Sequence, residues 1–192
     1  SKYIHIGGDE SPRTRWRECP ECQSLIRRAG LKADARHSAE DKLQGYFNTR
    51  IEEFLARHGR RLIGWDEIVD GGMSPDATVM SWRGTAGGIR AADEGFDVIM
   101  SPNSSLYFDY YQSANIDTEP PTIGGCIPLK KVYDTEPVPE ELTPEHARHI
   151  IGVQANVWTT YMRTDTILEH MLLPRLAALA ERAWSDREKD FT

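Results

Sequence analysis

The chain has 192 residues, of which 39% are hydrophobic and 28% charged, and it carries a formal net charge of −7. That is enough length for one domain with a real core, and a composition that excludes disordered and fibrous chains. The acidic balance argues against nucleic acid or an anionic membrane as the main partner, because both call for a basic face, and it leaves a neutral ligand compatible.

No apolar run approaches the roughly 20 residues needed to span a bilayer, and the first residues show no export signal. The chain begins within two residues of an expected strand, so any such signal is expected upstream. Among three cysteines, Cys19-Pro20-Glu21-Cys22 has the spacing of a redox or zinc half-site. A structural zinc needs four ligands and no second pair follows, so a local disulfide or two free thiols in a loop is the expectation, with Cys126 unpaired.

In chain order, Tyr3 to Ile6 is a short β-prone run stopped by Gly7-Gly8 and followed at once by Asp9 and Glu10. Ser11 to Glu18 is polar and reads as a loop. Pro20 can open a helix that Gly30 ends. Ser38, three residues before Asp41, starts an amphipathic helix carrying Leu43, Phe47, Ile51, Phe54 and Leu55 as far as Gly59. Leu62 to Trp65 reads as a strand, again with acids, Asp66-Glu67, past its end. Thr78 to Trp82 is the next strand, Thr85 to Glu94 a helix and Asp97 to Met100 another strand. The long stretch from Ser101 to about Thr143 is rich in Pro, Tyr, Asp and Asn, which favours a binding loop over a linker. Pro144 to His149 suggests a helical turn and Ile150 to Trp158 a final strand. Thr166 and Glu169 fit a capping box, and Leu168, Leu172, Leu176, Leu179 and Ala183 form one apolar stripe that Pro174 should split. Short apolar strands alternating with helices predict an α/β fold with a parallel sheet.

In a barrel of parallel strands, side chains just past the carboxyl end of a strand point into the active-site mouth, so Asp9 and Glu10 suggest acid–base chemistry. The same residues make an ordinary solvated turn. Neighbouring side chains in extended backbone diverge, which makes it hard for these two to flank a glycosidic bond as nucleophile and acid. Trp65, Trp82 and Trp158 each fall at or beside a strand end, where three indoles can wall a pocket, although core packing is the usual fate of a lone Trp. Core packing is the reading for Trp16 and Trp184. His5 reads as a satisfied core histidine ahead of one that hydrogen-bonds an acid from below the site, and a metal site from His5, Asp9 and Asp66 is the least favoured reading.

His5 to Glu10, Gly64-Trp65-Asp66-Glu67, Met80 to Gly84, Tyr107-Phe108-Asp109 and Gly152 to Trp158, in this order and spacing, resemble the glycoside hydrolase family 20 β-N-acetylhexosaminidases. The similarity runs from about Tyr3 to Trp184 and matches the second half of that family's catalytic domain. It implies a TIM (β/α)8 barrel of which residues 1–192 hold only strands four to eight with their helices. It also implies an exo-acting glycosidase that releases terminal β-linked GlcNAc or GalNAc with retention, the nucleophile being the substrate's own 2-acetamido oxygen.

By that resemblance Glu10 is the general acid and base, Asp9 holds the acetamido N–H, and Tyr107 holds the acetamido oxygen. Trp65, Trp82, Trp158 and Asp109 bind the sugar. Apart from the resemblance, Asp66 and Glu67 read either as residues that orient the site or as fillers of barrel-end hydrogen bonds. No metal and no cofactor is implied, and the partner is an N-acetylhexosamine-terminated oligosaccharide or glycoconjugate. The family leads one to expect a periplasmic, secreted or lysosome-like compartment. The sequence departs from many relatives at Thr160, where they carry a Glu that contacts outer sugar hydroxyls. Relatives also have a front half, which supplies an Arg for the terminal sugar and a His-Asp support for the acid. The chain alone is therefore expected to be poorly active and, with sheet edges uncovered, prone to self-association. The rival reading is a non-catalytic sugar-binding or scaffold protein that keeps the aromatic pocket.

Overall fold

A computed structural model describes residues 1–185 and 190–191. Its five strands are β1 (Tyr3–His5), β2 (Arg61–Trp65), β3 (Thr78–Ser81), β4 (Asp97–Met100) and β5 (Ile150–Val153), close to the predicted positions. They form one five-stranded parallel sheet in the order β1-β2-β3-β4-β5. Tyr3 is in register with Arg61, and Ile63 with Thr78. Each strand lying beside the next in sequence is the order produced by winding one strand–helix unit at a time, and five strands do not close a barrel of eight.

The chain divides into two compact units, Ser1–Met80 with Gly87–Val98, and Ser81–Ala86 with Ile99–Thr192. In the first, residues expected to be a loop form α1 (Thr14–Glu18), and α2 (Pro20–Arg28) opens at Pro20 as predicted. The long helix α3 (Ala39–Arg57) carries a complete capping box: the Asp41 N–H donates to Ser38 Oγ (3.1 Å) and the Ser38 N–H to Asp41 Oδ2 (2.7 Å). Its buried face differs from the apolar stripe expected. Leu43, Gln44, Asn48 and Leu55 are buried, while Phe47 and Phe54 are 60% and 51% exposed.

The reason is a close backbone approach on the Gln44–Gly45 side of α3. A Cβ on Gly45 would sit 2.0 Å from the Gly71 carbonyl oxygen, in the 3-10 turn Asp66–Gly71 that follows β2. Gln44 then reaches across to donate to the Gly8 carbonyl (2.8 Å), which explains why a polar residue is inside. Helix α4 (Ala86–Asp93) follows β3, and its Arg90 pairs with Asp70 at 2.9 Å.

In the second unit, the final strand stops at Val153 instead of running to Trp158. The long stretch after β4 is not featureless, because it supplies α5 (Leu129–Tyr133) and a core of Leu106, Tyr107, Phe108, Ile127, Val132 and Tyr133. Helix α6 is the short turn Pro144–Ala147. Helix α7 (Asp165–Leu172) is capped by Thr164, two residues before the predicted cap, with its Oγ1 accepting from the Ile167 N–H at 3.3 Å.

Pro174 splits the helix as expected, and α8 (Arg175–Trp184) follows it with a new phase. Its buried face is Arg175, Ala178, Leu179 and Arg182, so Leu176 lies 43% exposed and the single stripe across the proline does not hold. Trp184 is 90% exposed, against the expectation of core packing, because α8 turns its opposite side inward.

Candidate active site

In the first unit, the turn after β1 is built by Gly7 (φ +74°) and Gly8 (φ +99°), backbone conformations that a side chain resists. Gly8 also allows contact with the wall behind it, since a Cβ there would lie 2.6 Å from Ile68 Cγ2. The Asp9 side chain folds back over the turn, with Oδ1 3.5 Å from where a Gly7 Cβ would be. Glu10 has φ +45°, the one described non-glycine residue with a positive φ. Such torsions cost about 1–2 kcal/mol and persist where the surroundings impose them. Asp9 and Glu10 are both exposed.

His5, next to the turn, is not a buried core residue. It is exposed, packs edge-on against Trp65 with 4.9 Å between ring centroids, and accepts from the Gly7 N–H at 3.0 Å through Nδ1. Partial burial pulls its pKa below the ordinary value, with the Asp9 carboxylate pulling the other way. Trp65 ends β2 and is 8% exposed. Asp66 and Glu67 are buried in the following turn, and a Cβ on Gly87 would sit 2.9 Å from the Asp66 carboxylate, in the first turn of α4.

A cavity of about 730 Å3, lined by Ile6, Asp9, Trp16, Cys22, Leu43 and Phe47 among others, opens beside β1 in this unit. Trp16 is thus a cavity wall and not a core residue. Cys19 and Cys22 sit at the cap and third position of α2, on a helix start and not in a loop. They are free thiols. Cys19 makes no cap hydrogen bond of ordinary geometry, yet the Cys22 N–H and thiol lie near enough to hold its pKa down, while the Cys22 thiol is pushed up. Among the described residues no group of three or more His, Cys, Asp or Glu could hold a metal ion, so His5, Asp9 and Asp66 do not make the set considered from the sequence.

In the second unit, the structure brings Trp82, Tyr107 and Trp158 together. The Tyr107 ring stacks on Trp82 (6.3 Å, 19° between planes) and meets Trp158 edge-on (6.3 Å, 64°), with Tyr110 on another side at 6.0 Å. Trp158 is 47% exposed, so it presents a face to solvent, whereas Tyr107 is buried. Burial pushes the Tyr107 hydroxyl up to about 12, opposed by hydrogen bonding from Asn156 and Trp158. Asp109 is 8% exposed, its Oδ1 is buried without a hydrogen-bond partner, and burial raises its pKa. A buried carboxylate oxygen without a donor is costly unless a ligand or water supplies one. Thr160 lies exposed in the 3-10 turn Thr159–Tyr161.

The sequence reading gave no role to Arg175, which holds this aromatic cluster in place. Its fully buried guanidinium donates to the carbonyls of Phe108 (2.6 Å), Tyr110 (3.1 Å), Ile127 (3.1 Å) and Met171 (2.6 Å), and it stacks over the Phe108 ring at 4.8 Å. Burial lowers its pKa, against the opposite pull of Glu119 and Asp109. Counting helical positions from Pro174 would have placed Arg175 on the Ala178, Leu179 and Arg182 face. The same loop is tied at its far side by His170 to Glu119 (3.0 Å) and by Gln112 to the Leu173 carbonyl (3.1 Å).

Residues 1–187 match the family described as "Glycosyl hydrolase family 20, catalytic domain". The chain is 48% identical over 191 residues to a β-hexosaminidase of Porphyromonas gingivalis, covering 98% of this chain and 24% of that protein. It is 34% identical over 184 residues to a β-hexosaminidase of Vibrio furnissii, covering 94% of this chain and 29% of the relative. Among solved structures, the family 20 exo-β-N-acetylglucosaminidase of Vibrio harveyi in complex with N-acetylglucosamine superposes with a TM-score of 0.83 at 30% identity. That match covers 100% of this chain and 29% of the other. The chain thus spans about a quarter to a third of the length of these relatives.

Proposed function

Since the chain belongs to glycosyl hydrolase family 20, we propose that the protein is an exo-acting glycosidase releasing terminal β-linked N-acetylhexosamine with retention at the anomeric carbon. The observation that carries this reading is the Tyr107 ring set between Trp82 and Trp158, with the unpartnered Asp109 oxygen in the same unit. An apolar wall suits an acetamido methyl, a phenol suits its carbonyl oxygen, and a buried carboxylate oxygen suits a sugar hydroxyl.

In the proposed reaction, Glu10 gives its proton to the glycosidic oxygen as the bond to the anomeric carbon breaks. The acetamido oxygen closes onto that carbon, with Tyr107 donating to it and Asp9 accepting the amide N–H as positive charge builds on the ring. The Glu10 carboxylate then takes a proton from water as the water oxygen attacks the same carbon and reopens the ring. Two inversions leave the product with the starting configuration. Adjacent carboxylates fit this division of labour, because neither has to reach the opposite face of the sugar. Holding the amide in place is a proximity effect, worth several kcal/mol in well-oriented cases.

Release of the aryl alcohol from an aryl N-acetyl-β-glucosaminide tests the reading in the full-length gene product. Glu10→Gln should lower turnover about 100-fold or more, and Asp9→Ala should abolish tight binding of an N-acetylglucosamine thiazoline, the mimic of the cyclised intermediate. Equal binding of any hexose, with no turnover, would instead favour a sugar-binding module. The 192-residue chain alone should turn over poorly, and we propose that it self-associates through its outer strands. Full activity of the isolated chain would overturn the half-barrel reading.

A further inference from the structure

Tyr107 and Asn156 are partners in an isolated parallel β-bridge, fixed by the Phe108 N–H donating to the Asn156 carbonyl and the Asn156 N–H donating to the Leu106 carbonyl, both at 2.8 Å. Bridge partners project to the same face. Gln154 Nε2 donates to Asn156 Oδ1 at 2.7 Å, and Trp158 meets the ring of the bridge partner Tyr107 edge-on, so all three side chains gather on the Tyr107 side. With Oδ1 occupied by a donor, the Asn156 amide is left with its N–H2 to give elsewhere. Asn156 is 5% exposed, and its Nδ2 is buried without a hydrogen bond of ordinary geometry.

We propose that Asn156 is a positioning residue that sets the direction of the Tyr107 hydroxyl: its N–H2 faces the phenol oxygen and supplies a donor there, so the phenol's own hydrogen is turned toward an acceptor in the site. If the reading above holds, on which this part rests, that acceptor is the carbonyl oxygen of the acetamido group. The relay runs from Gln154 to Asn156 to Tyr107 to substrate, each group giving one hydrogen to the next. Asn156 and Trp158 both act on the Tyr107 hydroxyl as donors that favour its anion, which agrees with this polarity even though the Asn156 contact is longer or more bent than an ordinary hydrogen bond. The other titratable groups bearing on Tyr107 are Asp109 and Tyr110, and both work in the opposite sense.

The test places 3,5-difluorotyrosine at position 107, which brings the phenol titration into a range where the protein stays folded, and follows it by fluorine NMR. Asn156→Ala should raise the phenol midpoint by about half a pH unit or more, and Asn156→Ser, which restores a hydroxyl donor, should recover part of that rise. A midpoint unmoved by Asn156→Ala overturns the relay. Should Asn156→Ala fail to fold, Asn156→Asp keeps the shape and replaces the donor by an acceptor. It must then raise the midpoint by more than about one pH unit, and a smaller rise overturns the proposal.

In the full-length gene product, Asn156→Ala should lower kcat about tenfold while changing KM less than about twofold, as expected of a donor used in the transition state. An unmoved midpoint beside intact hydrolysis refutes the relay and leaves the hydrolase reading standing. A moved midpoint in a protein that hydrolyses nothing supports the relay and removes the hydrolase reading.

Discussion

Gly8 answers to two constraints at once, a φ of +99° and a wall, Ile68 Cγ2, 2.6 Å from where a Cβ would go. Ile68 is fully buried and cannot swing away. Gly8→Ala should therefore destabilise the protein by about 2–3 kcal/mol, read as a lowered urea midpoint with an unchanged slope. Tyr107 makes a different kind of prediction. Its hydroxyl sits at about 12 when folded, above the ordinary 10. Between these values the unfolded chain gives up the proton first, so the stability Tyr107 contributes is whole below about pH 10 and is lost as pH rises toward about 12. Comparing urea midpoints near pH 9 and near pH 11, the loss on going alkaline should be smaller in Tyr107→Phe than in the wild type.

The elements were largely legible because hydrophobic period and punctuation are local: the Ser38–Asp41 cap, the Pro20 start and the starts of all five strands fell where their residues put them, although the last strand ends at Val153. Where the reading failed, a contact distant in sequence or a break in helical phase had decided. The polar face of α3 went inward because Gly45 meets Gly71 and Gln44 finds the Gly8 carbonyl. The stripe across Pro174 failed because a proline resets the phase of whatever follows. Arg175 was missed for a related reason: a lone arginine at a helix start reads as solvated, and only the folded loop offers it four carbonyls. Arg175→Met should cost about 3 kcal/mol or more, since those carbonyls lose their donors inside the core. Amide hydrogen exchange should quicken across residues 106–112 before it does in α3.

For the molecule as a whole, the candidate site was legible as a set of residues but not as a geometry. The motifs named Trp82, Tyr107 and Trp158; that Trp158 meets the Tyr107 ring goes with the bridge between Tyr107 and Asn156, a pairing no periodicity announces. β1 and β5 stand at the two ends of the strand order, so among the described residues each has one side without a neighbouring strand. Apolar side chains remain uncovered in both units, Ile4 at 39% and Phe47 at 60% in the first, Ile151 at 49% in the second. Such surfaces and open edges template association. Light scattering of the purified 192-residue chain should give a mass above the 21.8 kDa monomer that falls on dilution. A concentration-independent monomer would count against it.

The left-handed backbone at Glu10 (φ +45°) sets hardiness against usefulness at one position. An asparagine there tolerates the torsion better, so Glu10→Asn should raise the melting temperature by an amount worth up to about 1 kcal/mol. A screen that rewarded heat resistance alone would discard this carboxylate early, and with it the proton donor of the reaction proposed above.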